Sequence, residues 1–365
     1  MTDDRERSAQ GEGAEGFSET VEVREAHRFD TRPLEALIAE KLGAHMTGIR
    51  QMRGGQSNPT FILATDKGEF VMRKQPPGQL LPSAHAVDRE YRVLSALAKT
   101  DVPVPKTYLF CDDRAVVGTP FYMMQRMKGR VFWEPMLPEV AKEERRPIYF
   151  GMIDALARLH SVDYEAVGLA DFGKPGSYFA RQIARWTKQW EGSQTDGRRN
   201  ASVDRLAEWL PRNIPEGDDE TVICHGDFRF DNMMFAMSEP RVIGIFDWEL
   251  STLGHPLADL AYVCVRHQLP AGAFKGMMGL DLEALGVPSQ SEIVEVYSER
   301  TGRARAITPF HMAFCLFRLA VILEGVFARA RAGNASNSTA IDMGPPAILM
   351  AQRGWQIVSE ADSRG

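Results

Sequence analysis

The sequence predicts an α+β protein in two unequal parts, a small antiparallel β-rich part with one main helix ahead of a larger, mostly helical part. Three observations predict it. Short apolar runs punctuated by turn residues crowd the first third of the chain, and apolar residues at helical spacing fill most of the remainder. One β-rich insert, Val222 to Trp248, interrupts the helical part. At 365 residues the chain is also too long for one compact core.

The elements follow in order. Residues 1 to 28 are acidic, Gly-rich and poor in large apolar side chains, which predicts a disordered tail. Within it, Gly11 to Gly16 spells G-x-G-x-x-G, but no strand precedes it and two glutamates would repel a phosphate. Leu34 to Leu42 reads as an amphipathic helix. Phe61 to Thr65 and Phe70 to Arg73 read as strands joined by the turn Asp66-Lys67-Gly68. Ser83 to Lys99 reads as a helix with Val87, Tyr91, Leu94 and Ala98 on one stripe, and Val116 to Met127 as another strand. The first domain is therefore expected over 29–127 and the second over 128–365, with Lys128-Gly129-Arg130 as a hinge. Helical patterns then cover Pro147 to His160, Tyr178 to Trp190, Val203 to Leu210, His255 to His267 and Ile307 to Arg331. The most apolar stretch, Phe310 to Ala328, contains Arg318 and Glu324, so it reads as a core helix rather than a membrane span.

Composition excludes several function classes. Hydrophobic residues make up 44% and charged residues 25%, as in ordinary globular proteins. A net charge of −6 argues against a nucleic-acid surface, which needs a clustered basic patch. The four cysteines are far apart and form no C-x-x-C pair, so neither a structural zinc site nor a disulfide framework is expected. With polar, charged residues at its start, the chain is expected to be cytoplasmic, with no membrane partner.

The chemistry concentrates in Val222-Ile223-Cys224-His225-Gly226-Asp227-Phe228-Arg229-Phe230-Asp231-Asn232-Met233-Met234-Phe235, followed by Val242 to Phe246 and Asp247. If Met233 to Phe235 and Ile243 to Phe246 pair around the turn Ser238-Glu239-Pro240, Asn232 and Asp247 face each other at the open end of a hairpin. A carboxylate and an amide oxygen suit a hard cation such as Mg²⁺. The plain alternative is that Asp227 and Asn232 only cap turns. In the small part, Glu90 falls on the apolar side of its helix and needs a buried cation, which Arg73 or Lys74 can supply from the preceding strand. Strand alternation puts those two on opposite faces.

His225-x-Asp227-x-x-x-x-Asn232 with Phe246-Asp247-Trp248-Glu249 resembles the catalytic and metal-binding motifs of the aminoglycoside phosphotransferase and choline kinase superfamily. The likeness runs from about residue 50 to about residue 330. Phe70 to Gly78, Arg89 to Leu94 and Asp247 to Ala261 resemble most closely the phosphotransferase-like modules that accompany acyl-CoA dehydrogenase domains. The resemblance implies a bilobal, protein-kinase-like fold that uses ATP and Mg²⁺ to phosphorylate a hydroxyl of a small molecule. It implies that Asp227 is the catalytic base or nucleophile-orienting group, that His225 supports its loop, and that Asn232 and Asp247 hold the metal. Superposing the kinase pattern V-A-I-K on Phe70 to Arg73 selects Arg73 for the phosphates and the Glu90 pair, with Lys74 as second choice.

Gly55, Ser57 and Asn58 belong to the turn Gly54 to Asn58, which resembles a nucleotide-covering turn but also reads as an ordinary hairpin turn. Gln125 and Met127 lie in the segment where an adenine would meet the linker backbone. Asp259 is expected either to hold the His225 loop or to cap its own helix, and Glu249 to line the site or to be an exposed carboxylate. Asp171-Phe172-Gly173 matches the kinase D-F-G motif but precedes the catalytic loop, where no metal ligand belongs.

Other classes fit less well. A protein kinase would need an activation segment ending in A-P-E, and a hydrolase a G-x-S-x-G, H-E-x-x-H or P-loop motif; none is present. A nucleotide-binding pseudokinase or scaffold without turnover is the remaining alternative, and the presence of Asp227, Asn232 and Asp247 argues against it. For the acceptor, the stripe Phe179, Ile183, Trp186, Trp190 with Arg181, Arg185 and Lys188 beside it suits an apolar anion such as a hydroxyacyl compound. A plain amphipathic core helix would carry the same pattern.

Overall fold

The computed structural model describes residues 20–53, 58–78, 85–193, 199–217, 219–303, 306–331 and 338–363. In chain order the elements begin with β1 (Thr20–Val21), α1 (Arg32–Leu42), β2 (Met46–Met52), β3 (Thr60–Thr65), β4 (Gly68–Lys74) and α2 (Val87–Leu97). Then come β5 (Thr107–Cys111), α3 (Arg114–Val117), β6 (Phe121–Gln125), α4 (Lys142–His160), α5 (Tyr178–Gly192) and α6 (Ala201–Trp209). The β-rich insert contributes β7 (Val222–Cys224), β8 (Met233–Phe235) and β9 (Val242–Ile245), and β10 (Thr252–Gly254) follows it. The remainder is helical: α7 (Pro256–Cys264), α8 (Leu282–Leu285), α9 (Gln290–Thr301), α10 (Pro309–Arg331) and α11 (Gly344–Asp362).

These elements form two compact units, one reaching Trp133 and taking in Phe230–Leu250, the other made of Glu134–Arg229 and Ser251–Gly365. In the first, the described strands form a six-stranded antiparallel sheet in the order β1-β2-β3-β4-β6-β5. Alternation along β4 gives its two faces different tasks. Met72 joins Leu34 and Ile38 of α1, Phe61, Leu63, Phe121 and Met123 in a buried cluster, where each large side chain contributes roughly 1.5–3 kcal/mol. Arg73 is on the other face, opposite Tyr122 in the ladder and beside Glu90 of α2. α1 stops where Gly43 takes φ +59°, a left-handed cap that glycine adopts without a Cβ clash.

Several expectations change here. Residues 20–28, assigned to the tail by composition, are tied down: Thr20 and Val21 pair with Met52 and Gln51, and the Arg24 amide donates to Gln51 Oε1 at 3.0 Å. β2 and β5 escaped detection because their half-exposed residues lack a clean alternation. The strand expected from Val116 starts only at Phe121. Asp113 caps α3 through the Ala115 amide at 2.9 Å, and Gly118 then turns the chain with φ +85°. The Lys128-Gly129-Arg130 segment, read as a hinge, is stitched to the hairpin. Arg130 and Phe235 exchange two 2.8 Å backbone bonds, and a Cβ on Gly129 would lie 2.3 Å from the Phe235 carbonyl oxygen. These bonds, with Ile245 N to Pro103 O at 2.9 Å, carry the first unit past residue 127 and join 230–250 to it.

In the second unit, β7 pairs antiparallel with β10, and helices supply the rest. α10 is buried from Phe310 to Gly325 except at Ile322 and packs against α5, α6, α7 and α11. It is long and apolar enough to cross a membrane, yet 83% of its apolar window is buried inside the fold. α9 and α11 were not expected; α9 announces itself by a capping box, with Ser289 and Glu292 bonding each other's backbone.

Lys74 is 6% exposed and has no carboxylate partner among the described residues; its Nζ donates to the Val117 carbonyl at 2.6 Å and stands 4.6 Å over the Phe29 ring. Burial pulls its pKa from 10.5 down to about 8. Between those values the unfolded chain holds a proton that the folded chain has released, so this group makes stability rise with pH there. Lys74→Met is therefore expected to stabilise the protein most below about pH 8, with the gain shrinking towards pH 10.5. Urea unfolding of both proteins at the two ends of that range checks this; an identical difference at both ends contradicts it.

Candidate active site

The first unit holds a cluster of three charges. Glu90 is 1% exposed, where an unanswered carboxylate would be costly. Asn58 Nδ2 donates to its Oε1 at 2.8 Å and the Tyr122 hydroxyl to its Oε2 at 3.0 Å, while Arg73 Nε lies 2.9 Å from Oε2. Burial pushes the Glu90 pKa up, with the Arg73 charge pulling the other way. The other end of the guanidinium donates from Nη2 to Asp247 Oδ1 at 2.6 Å. Burial acts to lower the Arg73 pKa, but Glu90 and then Asp247 more than offset it, so the charge is fixed. Of the two candidate cations on β4, Arg73 is thus the one at this cluster, and Lys74 lies on the opposite face.

Asp247 is placed by the hairpin. β8 and β9 pair with Met233 opposite Ile245 and Met234 opposite Gly244, and the Phe246 amide donates to the Asn232 carbonyl at 2.9 Å. The register is one residue off the expected one: Asn232 faces Phe246, and Asp247 is the first residue beyond the ladder. There Asp247 adopts φ +62°, a left-handed conformation that non-glycine residues rarely take. Its side chain is 31% exposed, and its Oδ2 has no partner among the described residues. Asn232 is 5% exposed. Both offer hard oxygen donors, and the open Oδ2 leaves a ligand position, so the pair fits Mg²⁺.

The other nucleotide-site candidates divide. Gly55 and Ser57 lie outside the described residues. Asn58, expected to face a nucleotide, is instead fully buried: one end of its amide holds Glu90, and its Oδ1 meets His85 Nδ1 at 3.2 Å. Gln125 has its amide N–H engaged by the Lys106 carbonyl at 2.8 Å. Met127 keeps both backbone groups without a protein partner among the described residues, as a residue that bonds an adenine edge must.

The second unit holds the loop after β7. Asp259, 1% exposed on α7, accepts the His225 amide at 2.7 Å and the Gly226 amide at 2.9 Å, one on each oxygen. It is a loop anchor, and the helix cap is His255, whose Nδ1 accepts the Leu257 amide at 3.2 Å. Burial raises the Asp259 pKa, but His160 and these amides hold it below the usual carboxylate value. Gly226 turns the chain with φ +84°, and its carbonyl accepts Arg318 Nη2 from α10 at 2.6 Å. The buried cation of the most apolar helix thus has its partner in this loop. His225 is fully buried and accepts the Asp227 amide on Nδ1 at 3.1 Å, a supporting role.

Asp227 itself accepts from Arg229 Nε at 3.0 Å and from the Tyr262 hydroxyl. Burial pushes its pKa up, but Arg229, Tyr262 and His225 more than offset this and hold it below the ordinary carboxylate value. An ionised, weakly basic carboxylate accepts and aligns a hydroxyl better than it removes its proton. Sequence reasoning gave Tyr262 and Arg229 no role. Their signals were position alone: Tyr262 one turn after Asp259 on α7, Arg229 two residues after Asp227. His160, Cys224 and Asp259 also cluster, but Asp259 is committed to the loop amides and burial keeps the thiol protonated, so no metal fits there.

Comparison with known proteins now decides the family. The model of the phosphotransferase enzyme family matches residues 48–283. The chain belongs to that family. Mouse acyl-CoA dehydrogenase family member 10 is 39% identical over 359 residues, 96% of this chain but 33% of that protein. This phosphotransferase thus spans a third of that relative's length and is akin to the modules found in acyl-CoA dehydrogenase family members. A crystal structure from Ralstonia eutropha, provisionally designated an aminoglycoside phosphotransferase, is 45% identical with a TM-score of 0.81, covering 91% of this chain and 99% of that one. At 13% identity, a thermostable mutant of aminoglycoside phosphotransferase APH(4)-Ia with AMP-PNP and hygromycin B shares the fold at TM-score 0.60, over 89% of this chain and 98% of that one. The kinase-like phosphotransferase fold is thereby established.

Replacing Asp259 by Asn puts an NH₂ group against one loop amide and removes the charge from both bonds. The substitution is expected to lower stability by about 2–4 kcal/mol. Urea unfolding measures it, and a loss under about 1 kcal/mol contradicts the anchoring role.

Proposed function

We propose that this phosphotransferase moves the γ-phosphoryl group of ATP, with Mg²⁺, to a hydroxyl of a small metabolite. The observation that carries the reading is the Asp227 carboxylate, kept ionised by Arg229 and Tyr262 on a loop whose backbone Asp259 and Arg318 hold. The acceptor oxygen attacks Pγ as the bond to the β–γ bridging oxygen breaks, ADP leaves, and the hydroxyl proton passes to Asp227 or to water. Asp227 aligns the hydroxyl, which in a loose phosphoryl transfer matters more than base strength. Arg73 supplies a permanent charge for the phosphates, and Met127 open backbone groups for the adenine. Asn232 and Asp247 would hold Mg²⁺, which when bound neutralises charge on the phosphate oxygens.

For the acceptor, a hydroxyacyl compound is favoured. Arg185 on α5 is exposed, has no carboxylate partner among the described residues and stands 5.1 Å over the buried Trp186 ring, so it presents an open cation beside an apolar helix face. The kinship to acyl-CoA dehydrogenase family members points the same way.

ATP consumption with Mg²⁺ against hydroxy acids, hydroxyacyl-CoAs, amino alcohols and sugars tests the class. Asp227→Ala is expected to abolish turnover, by at least about a thousandfold, while nucleotide binding persists. Full activity in that variant rejects the assignment, and no turnover by the unaltered protein on any acceptor favours a binding module.

A further inference from the structure

The face of β4 opposite Arg73 borders a cavity of about 350 Å³, within the range of small-molecule sites. Its walls come from four segments of the first unit: 26–30, Pro59 just ahead of β3, the end of β4 with its exit, and 115–119. Most of the lining is apolar, with Phe29, Pro59, Pro77, Val116 and Val117 prominent. Lys74 is the deeply buried charge on this wall. One of its three N–H bonds goes to the Val117 carbonyl, and no other acceptor among the described residues meets the remaining two. The carboxylate that also borders the cavity, Asp30, is held elsewhere by Arg32, whose Nη2 reaches Asp30 Oδ2 at 2.6 Å.

A second donor stands on the wall. Arg24 N donates to Gln51 Oε1 at 3.0 Å, which fixes that amide so that its Nε2 donates to His27 Nδ1 at 2.8 Å. The His27 proton is therefore on Nε2, which has no protein partner among the described residues. Arg28, exposed at the same cavity, adds a cation. A buried ammonium with two unused donors on the wall of an open, mostly apolar pocket suits one negative charge on an apolar body. A phosphate dianion would bring more charge than one buried cation answers.

We propose that the cavity beside Lys74 binds a small monocarboxylate with a compact apolar body, at a site separate from the Arg73 cluster. The carboxylate meets the Lys74 ammonium and the His27 N–H, and the body lies against Phe29 and Val117. Lys74 cannot be explained as a phosphate ligand of the Arg73 cluster, because strand alternation turns it away from Glu90 and Asp247. Burial lowers its pKa to about 8, as it does for an ammonium that has no counterion beside it.

Calorimetric titration of the whole chain with phenylacetate, its neutral isostere phenylacetamide, and inorganic phosphate tests the proposal without reference to phosphoryl transfer. Phenylacetate is expected to bind at least about tenfold more tightly than either control. Lys74→Met removes the ammonium, and Ala115→Trp fills the cavity while leaving the lysine in place; each is expected to weaken phenylacetate binding about tenfold or more. Thermal melts verify that both variants fold. No heat from phenylacetate at millimolar concentration, equal binding of phosphate, or affinity unchanged in both variants would overturn the assignment.

Discussion

Glu90 and Arg73 meet where a sheet packs on a helix, and the candidate nucleotide site depends on that meeting. The carboxylate is buried, so it needs the guanidinium; the guanidinium is thereby held at one end and free at the other to grip Asp247. Asn58 and Tyr122 use the remaining lone pairs of Glu90, which makes the pair a satisfied network rather than an isolated buried bridge. Arginine suits this position better than lysine because its planar fork spans two carboxylates at once. The contact with Asp247 also gives that residue a reason to tolerate φ +62°, since a rigid partner over-determines the strained backbone.

The second unit solves a different problem with the same means. A loop that must hold a carboxylate in one place is bonded through its backbone, by Asp259 at two amides and by Arg318 at a carbonyl. Two charged residues in the otherwise apolar surroundings of α7 and α10 are thus explained together. Asp227 accepts from the side chains of Arg229 and Tyr262, and these help keep it ionised across the neutral range. Under the proposed function, its low basicity would place the weight on aligning the hydroxyl rather than deprotonating it.

Much of this was legible in the sequence. The motif letters singled out Asp227, Asn232 and Asp247 as candidates, and the apolar face of one helix exposed Glu90 as a residue in need of a cation. The preceding strand offered Arg73 or Lys74 on opposite faces, the kinase pattern selected Arg73, and the structure pairs Arg73 with Glu90. The register of the β8–β9 hairpin was missed by one residue because Phe235 pairs with Val242 at the turn, two positions short of the counted partner, and the bulge between Met234 and Phe235 restores only one of them. Asn58 read as part of a ligand-covering turn because its burial against Glu90 joins residues 32 apart in the chain. Tyr262 carried no signal beyond helical spacing, since its value comes from the loop it meets. β2 and β5 lack the strong alternation that half-buried strands usually show, and pairing with their neighbours decides their conformation.

The most direct measurement is calorimetry of ATP binding with and without Mg²⁺, on the unaltered chain and on Asp247→Ala. If Asp247 and Asn232 hold the metal beside Arg73, Mg²⁺ tightens ATP binding in the unaltered chain and this increment disappears in the variant. An increment of the same size in both proteins would contradict the metal site.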